Sequence, residues 1–158
     1  MHIPMTDFLQ CIDQNIYKLW LEMWKKDQDI KGKWYGSIQE RLPVRPWYNQ
    51  LKEASRDFIT TINRLRFGHN TAPSHLARLG IIANNICPHC ELREGTMEHL
   101  IFDCQNFLID RLVLASDLSD VKIKCDSSSR PPPLEQLLKD KNTYKPIYKY
   151  IKNTIKTI

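Results

Sequence analysis

The eighteen residues CPHCELREGTMEHLIFDC, running from Cys87 to Cys104, decide how this chain reads. Cys87 and Cys90 stand two residues apart around Pro88 and His89, a spacing at which one tight turn carries two thiolates to a single ion. Eight residues then precede His99 and four more precede Cys104, giving C-x2-C-x8-H-x4-C. Thr96 stands where it would cap a helix carrying His99 on its first turn and Cys104 at its end, within about 2.0–2.3 Å of the same metal. Three thiolates and an imidazole fill the tetrahedral shell of one Zn2+ and leave no position for water or substrate, so the expected ion is structural. Glu98 beside His99 then has no activated water to serve as a base. His89 is the rival ligand, but from between two cysteines its ring points away from the ion. The bland alternative is three buried free cysteines beside a surface histidine.

Outside that stretch the chain has 158 residues, enough to bury a hydrophobic core with zinc as a local staple. Apolar residues make up 42% and charged residues 26%, the proportions of a globular protein rather than a disordered one. No apolar run approaches the roughly 18 residues of a membrane span, and no signal-peptide pattern opens the chain. An intracellular protein without a membrane partner is expected. Five cysteines, Cys11, Cys87, Cys90, Cys104 and Cys125, are an odd number, which favours reduced thiols and metal binding over a disulfide framework. Cys11 reads as core and Cys125 as a free thiol.

Apolar spacing predicts a mainly α-helical domain of about six helices, stapled by the CCHC site, with one short extended Trp/Pro-rich segment. The first helix spans residues 6–26 with Thr6 as its cap, and Trp20, Trp24, Trp34 and Trp47 are expected to be buried. Gly32, Gly36, Pro43 and Pro46 break residues 29–48 into a connector. Helical spacing returns over residues 49–67 and ends at Gly68; a short helix over residues 73–79 ends at Gly80. Another continues past Cys104 through Arg111 to Leu118. The serine- and proline-rich residues 126–133 have linker composition. Two final helices follow, the second lysine-rich on one face and loosely attached. The division is thus an N-terminal helix and connector over 1–48, a zinc module over 49–120, a linker over 121–133 and basic helices over 134–158.

In combination, several motifs resemble a known family. They are Arg64-Leu65-Arg66-Phe67-Gly68-His69, His75-Leu76-Ala77-Arg78-Leu79-Gly80, Cys87-Pro88-His89-Cys90, Thr96-Met97-Glu98-His99-Leu100, Cys104 and Arg111. Over about residues 50–115 they resemble the C-terminal CCHC segment of insect-type non-LTR (LINE-type) retrotransposon polyproteins, which follows reverse transcriptase and RNase H. The resemblance implies an accessory that holds template RNA or target DNA in the nucleus. Nothing in the chain looks like the paired aspartates of a polymerase or the carboxylate set of RNase H, so no enzyme is expected. A fragment of a mobile element and a host gene derived from one both fit.

The net charge is +5, distributed as +1 over residues 1–60, −2 over 61–120 and +6 over 121–158. Candidate phosphate contacts are Arg64, Arg66 and Arg78 with His69 and His75 among them, and the stripe Lys145, Lys149, Lys152 and Lys156. The competing reading is that the arginines complement a helix end, the histidines brace the zinc loop and the lysines are a solvated face. The acidic Glu91, Glu94, Glu98 and Asp103 beside the ligands oppose direct contact between zinc loop and phosphate. The alternative function is a protein-interaction or dimerisation domain, with a host protein or a second copy as partner and zinc purely structural.

Overall fold

The computed structural model of the chain describes residues 5–126 and 130–155. Among them lie seven α-helices: α1 Met5–Ile30, α2 Lys33–Ile38, α3 Arg56–Arg66, α4 Pro73–Arg78, α5 Leu108–Asp120, α6 Leu134–Lys139 and α7 Tyr144–Thr154. A π turn, His99–Asp103, and a 3-10 turn, Gln105–Phe107, link the metal segment to α5. The described residues hold an isolated bridge between Ile86 and Glu94 and no strands, so the fold is mainly α-helical as expected. No helix among them is long and apolar enough to cross a membrane.

Helix ends follow the local chemistry. Gly68 (φ +69°) lets its own N–H reach Leu65 C=O at 3.1 Å and that of His69 reach Arg64 C=O at 2.9 Å. Gly80 (φ +71°) repeats the arrangement at the end of α4, with Gly80 on Ala77 and Ile81 on Leu76. Both are Schellman closures, which need the left-handed backbone that glycine adopts without a Cβ penalty.

Three element boundaries and the burial of one tryptophan differ from expectation. α1 begins by Met5, so Thr6 lies inside the helix. Helix α3 starts seven residues later than its apolar pattern, because Ser55 Oγ accepts the Phe58 N–H at 3.1 Å and caps the first turn there; Leu51 is left exposed. The expected connector contains α2, with Gly36 inside it because the Gln28 side chain lies where a Cβ would be. Trp24, Trp34 and Trp47 are half-buried, whereas Trp20 is 60% exposed. Trp34 Nε1–H donates to Leu65 C=O and Trp47 Nε1–H to Asn63 Oδ1, which ties the Trp-rich segment to α3.

The largest departure concerns the C-terminal helices. Rather than being loosely attached, α6 and α7 supply the centre of the core: Leu134, Leu137, Leu138, Ile147 and Ile151 are at most 2% exposed. They pack with Ile62 and Leu65 of α3, Leu114 and Leu118 of α5, and Leu100 and Ile101 of the metal segment in one continuous cluster. Tyr150 Oη donates to Leu100 C=O at 2.9 Å and joins α7 to the π turn. Residues 121–133 therefore join parts of one core; Pro131 is buried and Arg130 pairs with Asp103 at 3.0 Å. Ser127, Ser128 and Ser129 of the expected linker lie outside the described residues, as does Lys156.

Candidate metal centre

Two local structures bring the four expected ligands together. The first is the turn between Ile86 and Glu94, where Cys87 N–H donates to Arg93 C=O at 2.8 Å and Glu91 N–H to Cys87 C=O at 2.9 Å. Glu91 occupies a left-handed conformation, φ 56°, at the point where the chain reverses. The second is the His99–Asp103 turn. Thr96 Oγ1 accepts the His99 N–H at 3.0 Å, as the sequence predicts for a capping threonine.

The turn itself is π, not the expected α. In an α-helix residues five apart point about 140° away from each other. Here Cys104 N–H donates to His99 C=O at 2.7 Å, closing a wider five-residue loop that brings both side chains to the same side. Arg111 Nη2 holds the Cys104 carbonyl at 3.0 Å from the first turn of α5.

The ligand atoms of Cys87, Cys90, His99 and Cys104 all lie within 4.8 Å of one another and can hold one metal ion. Cys87 Sγ and Cys104 Sγ are 3.9 Å apart, and Cys90 Sγ and His99 Nε2 3.3 Å. A tetrahedron with metal–ligand bonds of 2.0–2.3 Å has edges of about 3.3–3.8 Å, so these separations suit a four-coordinate ion. Burial points the same way. Cys87 and Cys104 are fully buried, and desolvation pushes the Cys104 thiol up to about 11. A thiolate there needs a cation beside it. Burial also lowers the His99 pKa, which favours the neutral ring a metal requires, while the Leu92 N–H lowers that of Cys90. His89 turns away, as expected: its ring stacks edge-on against Phe107 at 4.7 Å. Cys11 is exposed on α1 rather than in the core.

The basic residues separate into three groups. Arg66 leaves the candidate phosphate contacts: it is 3% exposed, and its guanidinium donates to Tyr144 Oη, Leu138 C=O at 3.3 Å and Gln39 Oε1 at 3.0 Å. Arg78 is exposed and donates to Nδ1 of the buried His75 at 2.8 Å; His69 meets the His75 ring edge-on at 5.8 Å. Burial, then Arg78, lowers the His75 pKa and keeps the ring neutral.

The third group forms where α3 meets α7. Asp57 of α3 accepts from Lys152 Nζ at 2.8 Å and from Tyr148 Oη at 2.6 Å, while the Arg64 charge also acts on its carboxyl. Lys145 lies one turn before Lys149, in a groove lined by Lys52, Glu53, Leu51 and Tyr148. Lys149 pairs with Asp117 of α5 at 2.8 Å. Of the two basic sets, remote in sequence, Arg64 of the first and Lys152 of the second thus act on one carboxylate. Sequence reasoning missed Asp57, their common partner, because an acid in the first turn of a helix already has a reason to be there. The acidic Glu91, Glu94 and Glu98 are exposed around the metal cluster. No protein-family model, curated protein or solved structure matches this chain.

Proposed function

We propose that the chain is a non-catalytic module, built around one structural Zn2+, that binds single-stranded nucleic acid as an accessory through the face where α3 meets α7. The reading rests on Arg64 and Lys152 acting together on Asp57, next to a groove in which Lys52 and Lys145 outnumber Glu53 beside Tyr148. Cations on one face attract a phosphate backbone, and a tyrosine at a groove wall offers a ring on which a base stacks. Lys152 and Arg64 are partly compensated by Asp57, so phosphate competes with a carboxylate already in place. The acidic surround of the metal cluster directs nucleic acid to this face and away from the zinc loop. The family resemblance supports a nuclear accessory role of the same kind.

Zinc is supported by the donor set. Three sulfurs and one imidazole nitrogen gathered within 4.8 Å of one another are the donor set that zinc prefers, and the fourth ligand closes the shell to substrate. When bound, the ion screens three thiolates and ties the Cys87 turn to the π turn. The protein's part is to bury the cluster and orient Cys104 through Arg111.

The test is fluorescence anisotropy with a labelled 20-nucleotide single strand of RNA or DNA across a salt series. Changing Arg64, Lys145 and Lys152 together to Ala is expected to flatten the log–log salt slope by about 2. Asp57→Asn is expected to tighten binding. Unchanged affinity in the triple variant would sink the assignment of this face.

A further inference from the structure

Helix α1 carries two different faces. One meets the body: Trp24 sits edge-on to Tyr35 at 5.7 Å, and Gln28 Nε2 donates to Gln39 C=O at 3.0 Å beside half-buried Leu21. The other, roughly 140° around the helix at 3.6 residues per turn, is apolar and uncovered. It consists of Leu9, Ile12, Ile16, Leu19, Met23 and Ile30, between 37% and 63% exposed. With Lys26 these residues follow the alternation 3, 4, 3, 4, 3, 4, which is the a/d seam of a coiled coil, and the seam is about 32 Å long. Amphipathic spacing alone predicts burial against the same chain; instead the body takes the narrower opposite face.

We infer that this seam is a self-association surface on which α1 pairs with α1 of a second copy, antiparallel. The apolar register is self-complementary, which fits a second copy, and Lys26 in the seam with the acids Asp13, Glu22, Asp27 and Asp29 beside it chooses the direction. A parallel pair stacks Lys26 on the partner copy's Lys26 inside the seam and sets Glu22 against its Asp27. An antiparallel pair with Ile16 opposite the other copy's Leu19 joins Ile12 to Met23 and Leu9 to the aliphatic stem of Lys26, whose ammonium can reach Glu22 one turn back on its own helix. Along the edges Asp13 then meets Trp20, an indole N–H beside a carboxylate, and Asn15 meets Glu22. No like charges face each other, and exposed Trp20 gains a polar partner. Sterics agree. The body attaches near residues 24–30, so antiparallel pairing puts the two bodies at opposite ends of the coil, about 28 Å apart along its axis. The contact is two-fold and closes on itself.

The inference is independent of the nucleic-acid reading and is tested on the metal-loaded full chain. Sedimentation equilibrium at 100 µM is expected to give twice 18.7 kDa. Ile16→Asp with Leu19→Asp is expected to return the mass to that of the monomer with unchanged metal content, because neither side chain reaches the core. Ile109→Asp, on an exposed part of α5, is expected to leave the dimer intact. Direction is read by disulfide trapping in a Cys11→Ser background: Ile16→Cys chains mixed with Leu19→Cys chains cross-link to each other, and neither cross-links alone. A monomer at 100 µM, a dimer indifferent to the double aspartate variant, or efficient cross-linking of each single-cysteine chain to itself overturns the proposal.

Discussion

The backbone N–H of Cys104 donates to the carbonyl of His99 at 2.7 Å, and this five-residue closure turns both side chains into one cluster that can hold a metal ion. It also explains why the last two ligands are separated by four residues rather than three. Deleting one residue between them would restore the α-helical repeat at i,i+4, where the two side chains stand about 40° apart and still share one side. A deletion of Asp103 is therefore expected to keep the metal that His99→Ala loses, read by plasma mass spectrometry of the purified protein. Loss of metal in the deletion variant would show that the wider closure itself is required.

Loss of a ligand should cost stability as well as metal. Cys87→Ser removes a fully buried sulfur of the cluster and with it a tie between the Ile86 to Glu94 turn and the π turn. The expected loss is on the order of 3–5 kcal/mol, or about 10 °C in melting temperature for a chain of this length. Chelator treatment of the unaltered protein should reproduce most of that fall, and readdition of zinc should reverse it.

Arg66 and Arg64 are two residues apart and predict opposite phenotypes. Arg66→Ala takes the guanidinium from Gln39 Oε1 and from the Tyr144 Oη to Leu138 C=O pair, which keeps its own 2.9 Å bond, and empties a buried space, so it is expected to destabilise by about 3 kcal/mol. Arg64→Ala on the exposed side should stay within about 0.5 kcal/mol in stability and weaken nucleic-acid binding instead. Urea denaturation of both variants separates the two roles.

Gly95 accommodates a close approach rather than a turn. A Cβ there would lie 2.8 Å from Pro73 Cγ and 3.0 Å from its Cβ and Cδ, where α4 meets the metal segment. The proline ring is rigid and cannot swing away. Gly95→Ala is expected to cost about 1–3 kcal/mol and to loosen the Ser74 N–H to Gly95 C=O bond of 3.2 Å, visible as faster amide exchange at Ser74.

Buried tyrosines set the alkaline limit. Desolvation raises the pKa of Tyr150 and Tyr144 above the ordinary value of 10.0. A raised folded pKa means that stability is complete below the unfolded value and falls as pH climbs toward the folded one. Thermal melts should therefore worsen steadily above pH 10. Tyr150→Phe is expected to lose about 1 kcal/mol at neutral pH, from its bond to Leu100 C=O, and to weaken the alkaline decline.

The ligand set, the helical class and the glycine-closed helix ends were legible in residue order because each depends on neighbours within a turn or two. Cys87 and Cys90 share a turn, Thr96 caps His99, and Gly68 and Gly80 adopt a backbone conformation that carries a steric cost for other residues. Ser55 was overlooked as the start of α3, since Leu51 and Ala54 continue its apolar spacing and only burial shows that Leu51 is outside. Placement was decided by tertiary structure. A lysine-rich tail became part of the core because Ile147 and Ile151 of α7 pack against α3 and α5 while Leu134 and Leu138 of α6, beside α2, join the same cluster, and Arg66 turned inward because Tyr144, seventy-eight residues away, meets it there. Residue order sets which side chains can share a turn; which of them share an interior depends on how the remaining surfaces exclude water, and that is settled only when all seven helices are in place.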